Sequence, residues 1–230
     1  MYLALTQWEK DSQLRDTTGE ESLVSVTSYV ERFYDFWKPR IGKLVPLTLR
    51  GTDRTYKTTD VLGIISEGKH YQIIGPSGTG KTELLLHIAL QSLTNGIVII
   101  FVQLKNYDGD LSHLLDVSVS YLHLGNFADL LKQCKTLNKR TALIVDAFNE
   151  CPHDKKDRFL QELQSLVLKE PFPVIITAQS PLQLPQHLRG ETLTFDDLPL
   201  DERKAVFEAH SGYFRGDVEG LIQPFNLNPA

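Results

Sequence analysis

Continuous apolar runs alternate with helical patterns through most of the chain after residue 70. The runs are rich in β-branched residues, which favours strands buried on both faces of a parallel sheet. The clearest helical pattern spans Asp154–Lys169, where the apolar residues fall on one face. The pattern predicts one strand beginning at Tyr71 and four more at Gly96–Leu104, Thr141–Asp146, Val174–Thr177 and Thr192–Phe195.

The first seventy residues follow a different pattern. Thr6–Glu21 is polar with few apolar anchors, so we expect a mobile lead-in. Apolar residues recur at helical spacing in Ser22–Trp37 and predict a packed helix. Leu44–Leu49 contains Pro46 and is therefore typical of an edge strand. Asp60–Ser66 predicts a short helix.

Alternating strands and helices of these lengths predict a three-layer α/β fold, with a mostly parallel five-stranded sheet and helices on both faces. We expect residues 1–40 to form the lead-in and N-terminal helix, and residues 41–198 to form the core. After residue 198 the pattern is helical only. It predicts that residues 199–230 begin a small helical subdomain, with helices at Asp201–His210 and Asp217–Ile222.

Composition narrows the classes of function. The 230 residues are 41% hydrophobic, enough for one α/β domain, and the net charge of -5 gives no strong nucleic-acid signal. Cys134 and Cys151 form no metal or redox motif, which favours free thiols in a reducing compartment. No apolar stretch approaches the roughly 20 residues of a membrane helix. We expect a cytoplasmic protein that does not associate with a membrane.

A glycine-rich loop, GPSGTGKT, follows the strand that begins at Tyr71, and a helical pattern follows the loop. Strand, loop and helix are the context that a phosphate-binding loop needs. Its glycines allow amide N–H groups to turn toward an anion, and the helix N-terminus favours phosphate. Lys81 would reach the β- and γ-phosphates, and Thr82 would ligate Mg²⁺. The predicted nucleotide-binding residues are Gly75, Pro76, Ser77, Gly78, Thr79, Gly80, Lys81, Thr82 and Glu83.

Two acidic residues near the end of the strand ALIVD complete the predicted catalytic site. Asp146 ends that strand, so we expect it at the carboxyl edge of the sheet, sharing the Mg²⁺ shell with Thr82. Glu150 lies just beyond and would orient or deprotonate the attacking water. The alternatives are that Asp146 only caps a helix and that Glu150 is a solvated loop carboxylate.

Thr177 is the third candidate in this region. It ends the predicted strand VIIT, where its hydroxyl would face the γ-phosphate or the attacking water. The alternative is a threonine that only favours the strand conformation.

These residues give the chain a resemblance to the NACHT family of STAND nucleotide-binding switches, among the phosphate-loop NTPases that carry a catalytic glutamate. The resemblance runs from about Phe36 to the C-terminus. Its most specific part is ALIVDAFNEC, which is similar to the family's strand followed by an Asp, a small residue and an acidic pair. Asp146, Ala147 and Glu150 match, whereas Asn149 stands where the first member of the acidic pair is usual.

The run VIITAQSP is similar to the family's sensor strand. That strand commonly continues with serine and arginine, but Ala178 and Gln179 stand there in this chain. An arginine sensor of the γ-phosphate is therefore not carried over.

The resemblance implies a switch that rests with ADP, is activated and oligomerises with ATP and Mg²⁺, and acts in immune or antiviral signalling through slow hydrolysis. The family usually carries an effector before the NTPase and a sensor array after it. Neither is recognisable here, so we expect a fragment or a minimal member. Two alternatives remain: a nucleotide-binding assembly scaffold with weak catalysis, and a loader ATPase acting on nucleic acid.

Overall fold

The computed structural model describes residues 17–122 and 125–195. The helices in this part are α1 Thr17–Trp37, α2 Lys81–Thr94, α3 Leu111–Ser120, α4 Phe127–Thr136 and α5 Lys156–Lys169. The strands are β1 Thr48–Arg50, β2 Thr55–Lys57, β3 Tyr71–Ile74, β4 Ile97–Gln103, β5 Arg140–Asp146, β6 Val174–Ala178 and β7 Glu191–Phe195.

All seven strands belong to one sheet, in the order β2-β1-β7-β3-β6-β5-β4. The five strands from β3 to β7 run parallel to one another. β3 lies between β6 and β7, although neither is its neighbour in sequence. The loop after β3 therefore opens at the carboxyl edge of the sheet, beside the ends of β6 and β5. A crossover of this kind is where α/β proteins bind ligands.

The α/β fold is as predicted, but the count of five strands is wrong. An antiparallel pair, β1 and β2, extends the sheet beyond β7. β1 begins at Thr48, and it is an interior strand because β2 forms the edge. Strands of three residues are too short to show periodicity, so the sequence pattern did not indicate β2.

The central strands were predictable because they are buried on both faces. Every residue of β4 from Ile97 to Val102 is buried, and so is every residue of β6. Seven residue pairs join β4 to β5 in register, from Ile97 opposite Arg140 to Gln103 opposite Asp146. These strands form the middle of a continuous apolar core, packed by helices on each side.

Helix α1 covers the β4 edge of the sheet. Tyr29 is buried, and its hydroxyl donates a hydrogen bond to the backbone carbonyl of Ile99 at 2.7 Å. Trp37 packs against Phe101 with ring centroids 5.3 Å apart. Edge strands present unpaired backbone groups, and α1 partly covers them here. The helix begins at Thr17, so the predicted lead-in ends earlier than Glu21.

Smaller differences concern short helices. The predicted helix Asp60–Ser66 is a 3₁₀ turn at Ile64–Glu67 that ends at Gly68, whose φ of 74° is left-handed. Helix α5 begins at Lys156, after a 3₁₀ turn at His153–Lys155. The helices predicted at Asp201–His210 and Asp217–Ile222 lie outside the described residues, so the proposed helical subdomain stays a prediction. In the described part of the chain, none of the helices has the length and apolarity to cross a membrane.

Candidate nucleotide site

The glycine-rich loop joins β3 to α2 as the motif requires. β3 ends at Ile74 and α2 begins at Lys81. Gly78 and Gly80 have φ values of 80° and 82°, a left-handed conformation that side chains with a Cβ rarely adopt. The loop therefore turns back on itself and leads directly into the N-terminus of α2, where the first backbone N–H groups have no partner within the helix. This geometry suits an anion.

Gly75 is required for a different reason. A Cβ at this position would lie 2.9 Å from the Cβ of Phe195 and 3.0 Å from Oγ1 of Thr79. The hydroxyl of Thr79 is already committed, because it donates to the carbonyl of Pro76 at 3.0 Å. A side chain at residue 75 would therefore push the loop away from the end of β7.

Lys81 lies across the mouth of the loop. Its ammonium group donates to the carbonyls of Gly75 at 2.7 Å and Pro76 at 2.6 Å. Burial lowers the pKa of Lys81, and the nearby Asp146 carboxylate partly offsets this by raising it. Neutral carbonyl groups thus hold the lysine over the loop. A bound anion would attract the ammonium group more strongly than these carbonyls do, because the anion carries a formal negative charge.

Thr82 and Asp146 meet although 64 residues separate them. The Thr82 hydroxyl donates to Oδ2 of Asp146 at 2.8 Å. Asp146 is only 3% exposed, whereas Thr82 is exposed at the start of α2. The contact joins the phosphate loop to the end of β5, which is the pairing that the motif spacing predicted.

The oxygen atoms of Thr82 and Asp146 fit a magnesium ion. Mg²⁺ prefers hard oxygen ligands and keeps several waters, and in nucleotide sites it takes one or two protein ligands together with phosphate oxygens. One hydroxyl and one carboxylate at the rim of the loop are that donor set. The described residues contain no group of three or more His, Cys, Asp or Glu that could hold a metal by themselves. An ion here would depend on the phosphates.

Thr177 holds the second oxygen of the same carboxylate. Its hydroxyl donates to Oδ1 of Asp146 at 2.7 Å and accepts from the backbone N–H of Ala147 at 2.8 Å. Thr177 is 0% exposed. The donor of its hydroxyl and one of the two acceptor lone pairs are therefore used inside the protein. The predicted direct contact between Thr177 and a phosphate stays a prediction, and this geometry favours an action through Asp146.

The turn after Asp146 is backbone-strained. Ala147 has φ 59° and ψ 57°, a left-handed conformation that costs a residue with a Cβ about 1–3 kcal/mol. The N–H bond to Thr177 helps to hold it. Phe148 then enters the core and packs against Phe159, with ring centroids 6.1 Å apart. The turn therefore buries Phe148, and the half-buried Asn149 and the exposed Glu150 follow it.

Asn149 and Glu150 are the side chains that this turn presents. They lie in the 3₁₀ turn Phe148–Glu150, with Asn149 half-buried and Glu150 exposed. The Glu150 N–H donates to the carbonyl of Ala147 at 2.8 Å. Its side chain is exposed four residues after Asp146, so the carboxylate can meet water there. A catalytic role for Glu150 remains a prediction.

The Glu83 side chain contacts His87 along α2. Its Oε1 lies 3.4 Å from Nε2 of His87, one turn further along the helix. The same Nε2 lies 3.1 Å from the carbonyl of Gly42. These contacts tie the segment before β1 to the first turns of α2. The predicted contribution of Glu83 to nucleotide binding would therefore come from its backbone N–H.

Sequence reasoning proposed the phosphate loop, Asp146 and Glu150 as site residues, and it missed that Thr177 bonds to Asp146 and Ala147. The register of β5 against β6 pairs Val145 with Ile176, so Asp146 and Thr177 follow as neighbours. That register could not be derived from the sequence. The sequence indicated the contact only by placing Thr177 and Asp146 at the ends of two predicted buried strands.

The structure combines a parallel sheet that has β3 between β6 and β7, a glycine loop leading into α2, and Asp146 at the end of β5. The fold is that of a phosphate-loop NTPase. No family model and no curated protein matches the chain. Membership of the NACHT family is therefore not shown.

Solved structures with a similar fold include a DNA replication initiation factor, with 16% identity, a TM-score of 0.42, and coverage of 75% of this chain and 50% of that one. AMPPCP-bound DnaA from Aquifex aeolicus is 16% identical with a TM-score of 0.43, covering 74% of this chain and 59% of that one. Aeropyrum pernix ORC1 in complex with DNA is 13% identical with a TM-score of 0.39, and the match covers 60% of this chain and 42% of that one. The chain thus spans about half the length of these structures, and the likeness is one of fold only.

Proposed function

We propose that this chain binds ATP with Mg²⁺ and hydrolyses it slowly, so that the bound nucleotide sets its conformational or assembly state. The observation that supports this most is the link from Thr82 through Asp146 to Thr177. It connects the phosphate loop to the carboxyl ends of β5 and β6. A change at the γ-phosphate or the metal would therefore alter hydrogen bonds that hold two central strands.

The chemistry of the proposed site divides between binding and water activation. The loop amides, the N-terminus of α2 and Lys81 would bind the phosphates, and Thr82 and Asp146 would hold Mg²⁺. A metal held there would neutralise negative charge on the phosphates. Glu150 would accept the proton of the attacking water. Asn149 brings no negative charge to this turn, and this supports a slow rate.

The first experiment measures nucleotide binding and phosphate release by the full chain, with and without Mg²⁺. We expect ATP binding that Mg²⁺ strengthens, and phosphate release above the rate of buffer. Tight binding without any release would favour the assembly scaffold. No binding of ATP, ADP or GTP in either condition would contradict the proposal.

Two finer functions follow from the same site. The STAND switch would oligomerise in the ATP state and act in immune or antiviral signalling, whereas a loader ATPase would act on nucleic acid. Among the neighbours are a replication initiation factor and a DNA complex. The lack of a strong nucleic-acid signal in the composition therefore does not decide against the loader. Stimulation of phosphate release by DNA or RNA would favour the loader, and nucleotide-dependent oligomerisation without such stimulation would favour the switch.

A further inference from the structure

A cavity of about 390 Å³ lies at the β4 edge of the sheet, between α1, β4 and α3. Two strands, β6 and β5, separate β4 from the strand of the phosphate loop. The cavity is thus distinct from the proposed nucleotide site. We call it the aromatic groove, and its aromatic lining comprises Tyr29, Phe33, Phe36, Trp37, Phe101 and Tyr121.

Two of these rings are unusually open to solvent. Phe36 is 44% exposed and Tyr121 is 80% exposed, and together with Leu168 they are the exposed large hydrophobic residues in the described part of the chain. Trp37 is half-buried between them and the core, packing edge-on against Phe36 with centroids 5.0 Å apart. The groove therefore presents an exposed aromatic surface. This surface is anchored to the sheet where Trp37 packs against Phe101 of β4.

Cationic side chains flank the open rings. The guanidinium of Arg40 lies over the ring of Phe36, 3.9 Å from its centroid. Arg32 is exposed one helical turn before Phe36, on the same flank of α1. Lys105 is exposed in the 3₁₀ turn that carries the groove residue Asn106.

The acidic side chains of α1 and α3 are not part of the lining of the groove. Glu31 and Asp35 fall on the opposite face of α1 from the groove residues at helical spacing. Asp116 of α3 directs Oδ1 to the N-terminus of α4, where it accepts a hydrogen bond from the N–H of Phe127 at 2.9 Å. The chain has a net charge of -5, yet Arg32, Arg40 and Lys105 lie beside the aromatic lining of the groove.

We propose that the aromatic groove binds single-stranded nucleic acid. Flat aromatic rings beside cations suit unpaired bases, which stack on the rings while the cations neutralise the phosphates. A guanidinium over an aromatic ring also extends the stacking surface. The amides of Gln103 and Asn106, which line the same cavity, carry donors and acceptors for base edges. A duplex would not fit this mode, because its bases are already stacked and paired.

The groove contains its own spectroscopic probe. The chain has two tryptophans, Trp8 and Trp37, so Trp8→Phe leaves Trp37 as the sole tryptophan. We expect single-stranded oligothymidylate and oligoadenylate to quench Trp37 emission in this variant at low salt, without nucleotide. The anisotropy of a dye-labelled oligonucleotide should give the same dissociation constant. Because no ATP is present, the result is independent of the proposed NTPase function, and Lys81→Ala should bind the oligonucleotide as well as wild type.

Three substitutions identify the surface. Phe36→Ala and Tyr121→Ala should each weaken binding about tenfold, as expected for loss of one stacked base. Lys105→Ala should reduce the slope of affinity against salt by about 0.7, the value for one phosphate contact of a single strand. The matched control is Leu168→Ala, which removes an exposed apolar side chain on α5 and should change nothing.

Several outcomes would overturn the proposal. These are absence of quenching at low salt, equal weakening by Leu168→Ala, and equal affinity for duplex and single strand. A blue shift of Trp37 emission with an amphipathic peptide, in a chain that binds no oligonucleotide, would assign the groove to a protein partner instead.

Discussion

Thr177 donates a 2.7 Å hydrogen bond to Oδ1 of Asp146, and this contact fixes the carboxylate whose other oxygen meets Thr82. Both residues are buried, at the ends of adjacent parallel strands. The aspartate therefore has little freedom to turn away from the phosphate loop.

Thr177→Val should weaken Mg²⁺-dependent ATP binding by about tenfold or more, because a hydrogen bond to a charged group contributes ~1.5–3 kcal/mol. Binding measured without Mg²⁺ should change little. The comparison is a set of ATP titrations at several Mg²⁺ concentrations.

The control for Thr177→Val is Ser92→Ala, which removes a buried hydroxyl bonded to the carbonyl of Ile88 at 2.7 Å within α2. It should leave the Mg²⁺ dependence intact. If Thr177→Val instead binds Mg²⁺-ATP normally but fails to hydrolyse it, Thr177 contacts the phosphate or water directly, as the sequence first predicted.

Lys81→Ala should abolish detectable ATP binding, because the positive charge held over the loop is lost while the loop backbone remains. Titration calorimetry on the variant and wild type measures this. Lys69→Ala is the matched control, since Lys69 is an exposed lysine that pairs with Glu67 at 3.1 Å. Unchanged ATP affinity in Lys81→Ala would refute the assignment of the phosphate loop.

His70 predicts a pH dependence of stability. Burial lowers its pKa, and its Nδ1 accepts a hydrogen bond from the N–H of Val174 at 3.1 Å. The unfolded chain therefore takes up a proton at higher pH than the folded chain does. Stability is complete above the ordinary histidine pKa of about 6.5 and should fall as pH decreases below it.

His70→Asn keeps an acceptor for Val174 but does not titrate in this range, so it should flatten that decline. Urea unfolding between acidic and neutral pH gives the free energies. His153→Asn, at an exposed histidine, is the control and should keep the wild-type slope. An equally steep decline in His70→Asn would assign the effect to other groups.

The fold was predictable where burial dominates the pattern. β4, β5 and β6 are buried along almost their whole length, so their sequences are continuous apolar runs. β1 was misjudged and β2 was missed, because strands of three residues show no periodicity and β1 pairs with the distant β7. The left-handed conformation of Ala147 could not be predicted for a related reason. It is stabilised by the hydrogen bond that the Ala147 N–H donates to Thr177 on another strand.

Glu150→Gln should leave ATP binding nearly unchanged while reducing hydrolysis by about 100-fold, because the amide keeps the shape but cannot accept a proton. Steady-state phosphate release and ATP titration measure the two effects separately. Hydrolysis at the wild-type rate in Glu150→Gln would place the base elsewhere.

Asn149→Asp distinguishes the two side chains that the turn after Asp146 presents. Asn149 is half-buried beside the exposed Glu150, so an added carboxylate would increase the negative charge near the metal without replacing the base. We expect a modest gain in turnover or Mg²⁺ affinity in the single variant. The double variant with Glu150→Gln should stay as slow as Glu150→Gln alone, because charge near the metal does not remove a proton from water. Rescue of hydrolysis in the double variant would instead make residue 149 the position from which a carboxylate activates water, and the geometry of the turn would then have been assigned to the wrong residue.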